Sequence, residues 1–192
     1  MVRLDSEHHE YRDAAGVVIP HVTAVLQAAG VIDYSWMPDR EWHMTRGKAI
    51  HRACDLLARG LLDEASVDPR IQGYVAAFGR FMSESGCRVL ETERLCYHRA
   101  YGYSGMADVL TIIGDRPWVL DAKTTAVPPS AGPQTAAYMQ ALNTELETKI
   151  EKRGGLALRK DGTYRLVEFT GEDDWLDFVA ALRLYKRWKR EK

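Results

Sequence analysis

The sequence predicts an α/β (α+β) fold, with helices laid on a sheet. Three observations carry this. Apolar residues recur at helical spacing through residues 45–85, alternate in strand fashion through residues 89–123, and return to helical spacing after a Pro-rich loop at residues 127–133. With 192 residues and 46% apolar content, the chain is long enough to bury a core without disulfides or a structural metal. One domain spanning 1–192 is expected, its core over about 40–170 and a basic C-terminal helix over about 173–190.

Taken in order, Gly16 to Pro20 reads as a short extended piece. It feeds a helix that opens after Thr23 and ends at Gly30, a residue suited to a left-handed C-cap. Between Thr45 and Leu62, the residues Ile50, Ala53, Cys54, Leu57, Ala58 and Leu61 form one apolar stripe. Ile71, Tyr74, Val75, Phe78 and Phe81 form a second between Pro69 and Ser85, and both helices should cover a sheet. Val89, Glu91, Glu93, Leu95 and Tyr97 mark an alternating strand, and GMADVLTII and WVLDAKTT are two further runs of strand formers. Gln134 to about Ile150 is helical in pattern, and Leu156 to Arg159 with Tyr164 to Phe169 form a hairpin around Asp161-Gly162. Asp173 to Lys189 closes the chain as a helix, giving the order helices, three strands, helix, two strands, helix.

Composition narrows the function classes. The chain has no apolar run near the roughly 18 residues a membrane span needs, and its start, MVRLDSEHHE, is too charged for a secretory signal. A cytoplasmic protein with no membrane partner is expected. Cys54, Cys87 and Cys96 are odd in number and lack CxxC spacing, which argues for reduced packing residues. A net charge of −1 offers no global attraction for nucleic acid, so any such site must be a local basic patch.

One strand carries a charge that does not belong. Alternation places Met106, Asp108, Leu110 and Ile112 on one face, with Asp108 the single charge among them. A buried carboxylate without a partner costs several kcal/mol, so it is paired or holds a metal. If Gly114 to Pro117 is a four-residue hairpin loop, Ile113 pairs with Trp118, which sets Asp108 opposite Lys123 and diagonal to Asp121. All three then share a face, with Cβ atoms within roughly 5 to 8 Å. Two acids that close repel unless a cation lies between them, and aspartates without thiolates suit Mg²⁺ or Mn²⁺. A simple cross-strand salt bridge between Asp108 and Lys123 stands beside this reading.

The ordered set GMADVL, VLDAKTT and QTAAY, preceded by RGKAIH and ETERLCY, resembles the PD-(D/E)xK nuclease superfamily, in its RecB-like and phage-type exonuclease branch. IPHVTAVLQAAG is similar to the opening element of phage exonucleases and mitochondrial genome maintenance exonucleases, with His21 where a serine is common. The resemblance covers about residues 16–142, and its specificity lies in the combination. It implies a restriction-endonuclease-like core, a central mixed β-sheet flanked by helices. It also implies that Asp108 and Asp121 are metal ligands, with the Ala122 carbonyl, Glu93 and His51 completing the shell, and that Lys123 orients or polarises the attacking water. Gln134 and Tyr138 match its QxxxY helix. The four cysteines of the cluster-bearing branch are missing, so no iron-sulfur cluster is expected.

Each outer residue has a plainer reading. His51 on the edge of an apolar stripe can be a hydrogen-bonded core histidine, and Glu91 shares a strand face with Glu93. Gln134 and Tyr138, four apart on one helix face, can be a solvated amide beside a half-buried tyrosine instead of a device that positions phosphate or lysine. Arg46 can meet a terminal phosphate through its bidentate fork or lie on the surface. The run Arg183, Lys186, Arg187, Lys189, Arg190, Lys192, interleaved with Tyr185 and Trp188, suits a nucleic-acid backbone but also suits the C-terminal end of a helix dipole.

The resulting expectation is a Mg²⁺- or Mn²⁺-dependent deoxyribonuclease, an exonuclease of phage or bacterial DNA recombination or repair. Its partners would be DNA, a phage recombination or single-strand-binding protein, and further copies of itself in a homo-oligomer. A structure- or sequence-specific endonuclease of the same fold and a catalytically inactive DNA-binding module are the alternatives.

Overall fold

The computed structural model describes residues 2–5, 10–35 and 38–190, the side chain of Arg190 excepted. A small antiparallel sheet comes first: β1 (Arg3–Asp5), β2 (Glu10–Arg12) and β3 (Val18–Ile19). Helices α1 (Val22–Ala28), α2 (Arg40–Ala58) and α3 (Gln72–Ser85) lead to the main sheet. Its strands are β4 (Arg88–His98), β5 (Tyr103–Ile113), β6 (Arg116–Lys123), β7 (Lys152–Leu158) and β8 (Tyr164–Glu168). Helix α4 (Ala131–Glu145) joins β6 to β7, and α5 (Asp173–Arg190) follows β8.

The five strands lie side by side in chain order, antiparallel except for the pair β6 and β7. That parallel pair is the one joined through a helix, as a parallel connection must cross over. The result is the central mixed β-sheet flanked by helices that the sequence predicts. One face packs against α1, α4 and α5 through Leu26, Tyr103, Leu110, Val119, Leu142 and Phe178. The other packs against α2 and α3 through Ile50, Phe78, Phe81, Val109, Leu120 and Leu156. Strand β5 is therefore covered on both sides, and its burial is nearly continuous instead of alternating.

Several boundaries differ from the pattern. Helix α1 is capped by His21, whose Nδ1 accepts from the Ala24 N–H at 3.4 Å, two residues before Thr23. Helix α2 begins at Arg40 and ends at Ala58, earlier at both ends than the stripe suggests. Helix α3 starts at Gln72 because the Asp68 carboxylate accepts from the Arg70 N–H and turns the chain at Pro69. Helix α4 starts three residues early, with Pro133 tolerated in its first turn. It stops at Glu145 because Asn143 exchanges two hydrogen bonds with the backbone of Ile150, at 2.7 and 3.0 Å, and leads the chain into β7. Strand β7 begins at Lys152, not Leu156, because the β6 backbone supplies it a partner through Gly154 and Gly155. A Cβ on Gly155 would lie 2.3 Å from Val127 Cγ1, so the position requires glycine.

Candidate active site

The β5–β6 hairpin sets the first part of the site, and here the structure corrects the expected register. Ile113 pairs with Arg116 across a two-residue loop, Gly114-Asp115, with Gly114 at φ +65°. The loop is two residues shorter than supposed because a Gly-Asp pair closes a tight hairpin unaided. A shift of two preserves strand parity, but Ala107 and Leu110 lie in one core and Val109 in the other, so alternation breaks beside Asp108, and Asp108, Asp121 and Lys123 meet in a cleft instead of on one regular face. The pairing runs to Val109 with Leu120, and one further step brings Asp108 across from Asp121, not Lys123. There the ladder gives way to a side chain: Asp108 Oδ2 accepts from the Ala122 N–H at 2.7 Å.

Strand β4 approaches from the other side. Thr92 pairs with Val109 and Arg94 with Ala107, and between them Glu93 sits at φ +49°. Among the described residues Asp39 is the other non-glycine with positive φ, and aspartate tolerates that region better than glutamate does. Such a conformation costs of order 1–3 kcal/mol and persists where the surroundings enforce it. His51, on α2, lies with Nδ1 3.2 Å from Glu93 Oε1 and 3.6 Å from Asp108 Oδ1. One ligating atom from each of His51, Glu93 and Asp108 falls within 4.8 Å of the others. Glu91 instead pairs with Arg94 at 3.0 Å, away from this group.

Asp121 and Lys123 complete the arrangement. Lys123 Nζ pairs with the buried Asp121 Oδ2 at 2.6 Å and donates to Gln134 Oε1 at 3.3 Å. Gln134 Nε2 in turn donates to the Tyr138 hydroxyl at 3.0 Å, so the two helix residues form a relay behind the lysine. Tyr138 is seated against Gly105, where a Cβ would come within 2.6 Å of the ring.

The charges are strongly interdependent. Burial pushes the Asp108 carboxyl up, and Asp121 and Glu93 add to this against the pull of His51 and Lys123. The Asp108 charge, with help from Glu93, raises His51 despite its burial. Burial opposes the charge of Lys123, yet Asp121 and Asp108 outweigh it and hold the ammonium protonated. Burial lifts the Tyr138 hydroxyl well above its ordinary range. Two carboxylates and an imidazole with ligating atoms within 4.8 Å of one another, and Asp121 lining the same cleft, form a donor set that suits a divalent cation such as Mg²⁺ or Mn²⁺.

All these residues line one cleft of about 520 Å³, together with Ala122, His21, Tyr11, Tyr34, Lys48, Arg52 and Asp55. The last six of these are not among the site residues expected from sequence, although His21 and Lys48 lie within the motifs IPHVTAVLQAAG and RGKAIH. Helical spacing could have found Lys48 and Asp55, which flank His51 on its own face at i−3 and i+4. Arg46 does not line the cleft: its guanidinium is 4.5 Å from the Trp42 ring centroid and 5.5 Å from that of Tyr74. None of Lys186, Arg187 or Lys189 lines it either. Lys186 Nζ donates to the Tyr101 carbonyl at 2.6 Å, and Lys189 Nζ lies 5.8 Å from the Tyr185 ring centroid. The Arg190 side chain and Lys192 lie outside the described residues.

No family model matches the chain. No curated protein matches it either. Among solved structures it is similar to the alkaline exonuclease LHK-Exo from Laribacter hongkongensis, at 15% identity and a TM-score of 0.44, over 89% of this chain and 91% of that one. It is also similar to LHK-Exo in complex with dAMP, at 17% identity and a TM-score of 0.36, over 90% and 92% of the two chains.

Proposed function

We propose that this chain is a metal-dependent nuclease that hydrolyses phosphodiester bonds in DNA. The observation that supports it most is the convergence of His51, Glu93, Asp108 and Asp121 on one cleft that also holds a protonated lysine. In this reading His51, Glu93, Asp108 and Asp121, with the Ala122 carbonyl, hold Mg²⁺ or Mn²⁺. A bound divalent cation would supply electrostatic stabilisation to the attacking and leaving oxygens. Lys123, kept charged by two carboxylates, donates to the phosphate or to the attacking water and does not take a proton from it. Gln134 fixes the lysine and Tyr138 fixes Gln134. The likeness of the ordered motifs to phage-type exonucleases favours action from DNA ends, in recombination or repair.

Labelled linear DNA incubated with Mg²⁺ tests the proposal. Asp121→Ala and Lys123→Ala should each reduce cleavage by about 10²-fold or more, the scale of losing a preorganised charge at the reacting centre. Wild type and both variants cleaving alike would sink it. Closed circular DNA resists an exonuclease, and its cleavage would shift the assignment to an endonuclease.

A further inference from the structure

We infer that Asp55 and Thr92 are positioning residues for the Glu93 carboxylate, an assignment that rests on the nuclease reading above. Successive side chains of a regular strand point to opposite faces, so two neighbours cannot both meet one helix. Thr92 and Glu93 do. The Thr92 hydroxyl donates to Asp55 Oδ1 at 2.5 Å, while Glu93 Oε1 meets His51 Nδ1 at 3.2 Å, and His51 and Asp55 are one turn apart on α2. The φ of +49° at Glu93 is the break in alternation that allows both contacts.

Glutamate has no local preference for that backbone region, so an outside anchor must hold it there. Asp55 is such an anchor. It is 7% exposed, and its Oδ2 is itself fixed by Arg52 NH1 at 2.7 Å and lies 3.5 Å from Arg59 NH1. Its remaining oxygen, Oδ1, accepts from Thr92 on β4. The bond from Thr92 then keeps the next residue left-handed, with its carboxylate on the side of His51 and Asp108.

The test compares wild type, Thr92→Val and Thr92→Ser in three measurements. These are the intraresidue HN–Hα NOE of Glu93, which is strong at positive φ, Mn²⁺ affinity of the metal-free protein by EPR titration, and kcat and KM on linear DNA. Thr92→Val should lose the strong NOE, bind Mn²⁺ about 10- to 100-fold more weakly and lower kcat with little change in KM, while Thr92→Ser stays within about twofold of wild type. A Thr92→Val protein that keeps both the NOE and wild-type Mn²⁺ affinity overturns the assignment, as does a Thr92→Ser protein equally impaired. If the NOE is lost in Thr92→Val alone while wild type neither binds Mn²⁺ nor cleaves DNA, the positioning stands and the nuclease reading falls.

Discussion

Lys123 has two partners of unequal strength, an aspartate at 2.6 Å and an amide oxygen at 3.3 Å. A charged partner dominates a neutral one, so Asp121 still holds the ammonium when Gln134 is truncated. Gln134→Ala should therefore lower kcat by about tenfold, well short of the Lys123→Ala loss, in single-turnover cleavage. Equal losses would mean that Gln134 acts on the substrate directly. The thiols offer a check on burial. Cys54 and Cys96 are pushed from an ordinary 9.0 up to about 12, first by burial, with the carboxylates Asp108 and Glu93 adding at Cys54 and Glu145 adding at Cys96. A folded-state value above the unfolded one makes their contribution to stability complete below pH 9.0, and it is lost as pH rises toward 12. Iodoacetamide at pH 8 should then modify Cys87, the partly exposed thiol, and leave the two buried ones intact until the protein unfolds. Early modification of Cys54, read by mass spectrometry, would contradict the packing of α2 on the sheet.

At the scale of elements, the connections that bring α4 and α5 to the sheet depend on one buried cation. Arg153, on β7, donates to the Gly132 carbonyl at 3.0 Å and the Gly171 carbonyl at 2.6 Å, and pairs with Asp174 at 2.6 Å. It thus ties the first turn of α4 and the start of α5 to the same strand. Arg153→Met keeps much of the volume but removes the guanidinium from the Gly171 carbonyl and the Asp174 carboxylate, and leaves the Gly132 carbonyl only the Thr135 hydroxyl, at 3.1 Å, as a side-chain donor. Because Asp174 is 20% exposed, the expected loss is about 2–4 kcal/mol, at or below the range for breaking a fully buried pair, measured by urea unfolding. A loss under about 0.5 kcal/mol would show that water replaces the guanidinium without penalty.

At the scale of the whole molecule, the cleft draws on β1, β2, α1, α2, β4, β5, β6 and α4, elements spread from Leu4 to Tyr138. A cation held there would bind the folded chain and not the unfolded one, so metal binding should couple to global stability. Mn²⁺ at about 100 times its Kd should add about 2.7 kcal/mol, or roughly 5–10 °C in Tm for a chain of this size. Calorimetry of Asp108→Asn should show almost none of that shift. A shift of equal size in the variant would place the cation elsewhere.

Asp108, Asp121 and Lys123 stand out along the chain because charges interrupt runs of strand formers, but the hairpin loop is two residues shorter than expected and alternation on β5 breaks beside Asp108. His51 came only from the resemblance of RGKAIH, because helical spacing by itself reads it as a hydrogen-bonded histidine at the edge of an apolar stripe. The fold class was legible too, since hydrophobic period alone separates helices from strands and orders them. What local pattern could not supply was long-range geometry. Glu93 over Glu91, the left-handed turn that aims it, Asp55 beneath Thr92, and the approach of Tyr74 to Arg46 all depend on where α2 and α3 rest against each other and the sheet. So does the start of β7, where two glycines pair because β6 is already there to pair with. Periodicity reports which face a side chain belongs to, and only packing between distant segments decides what that face meets.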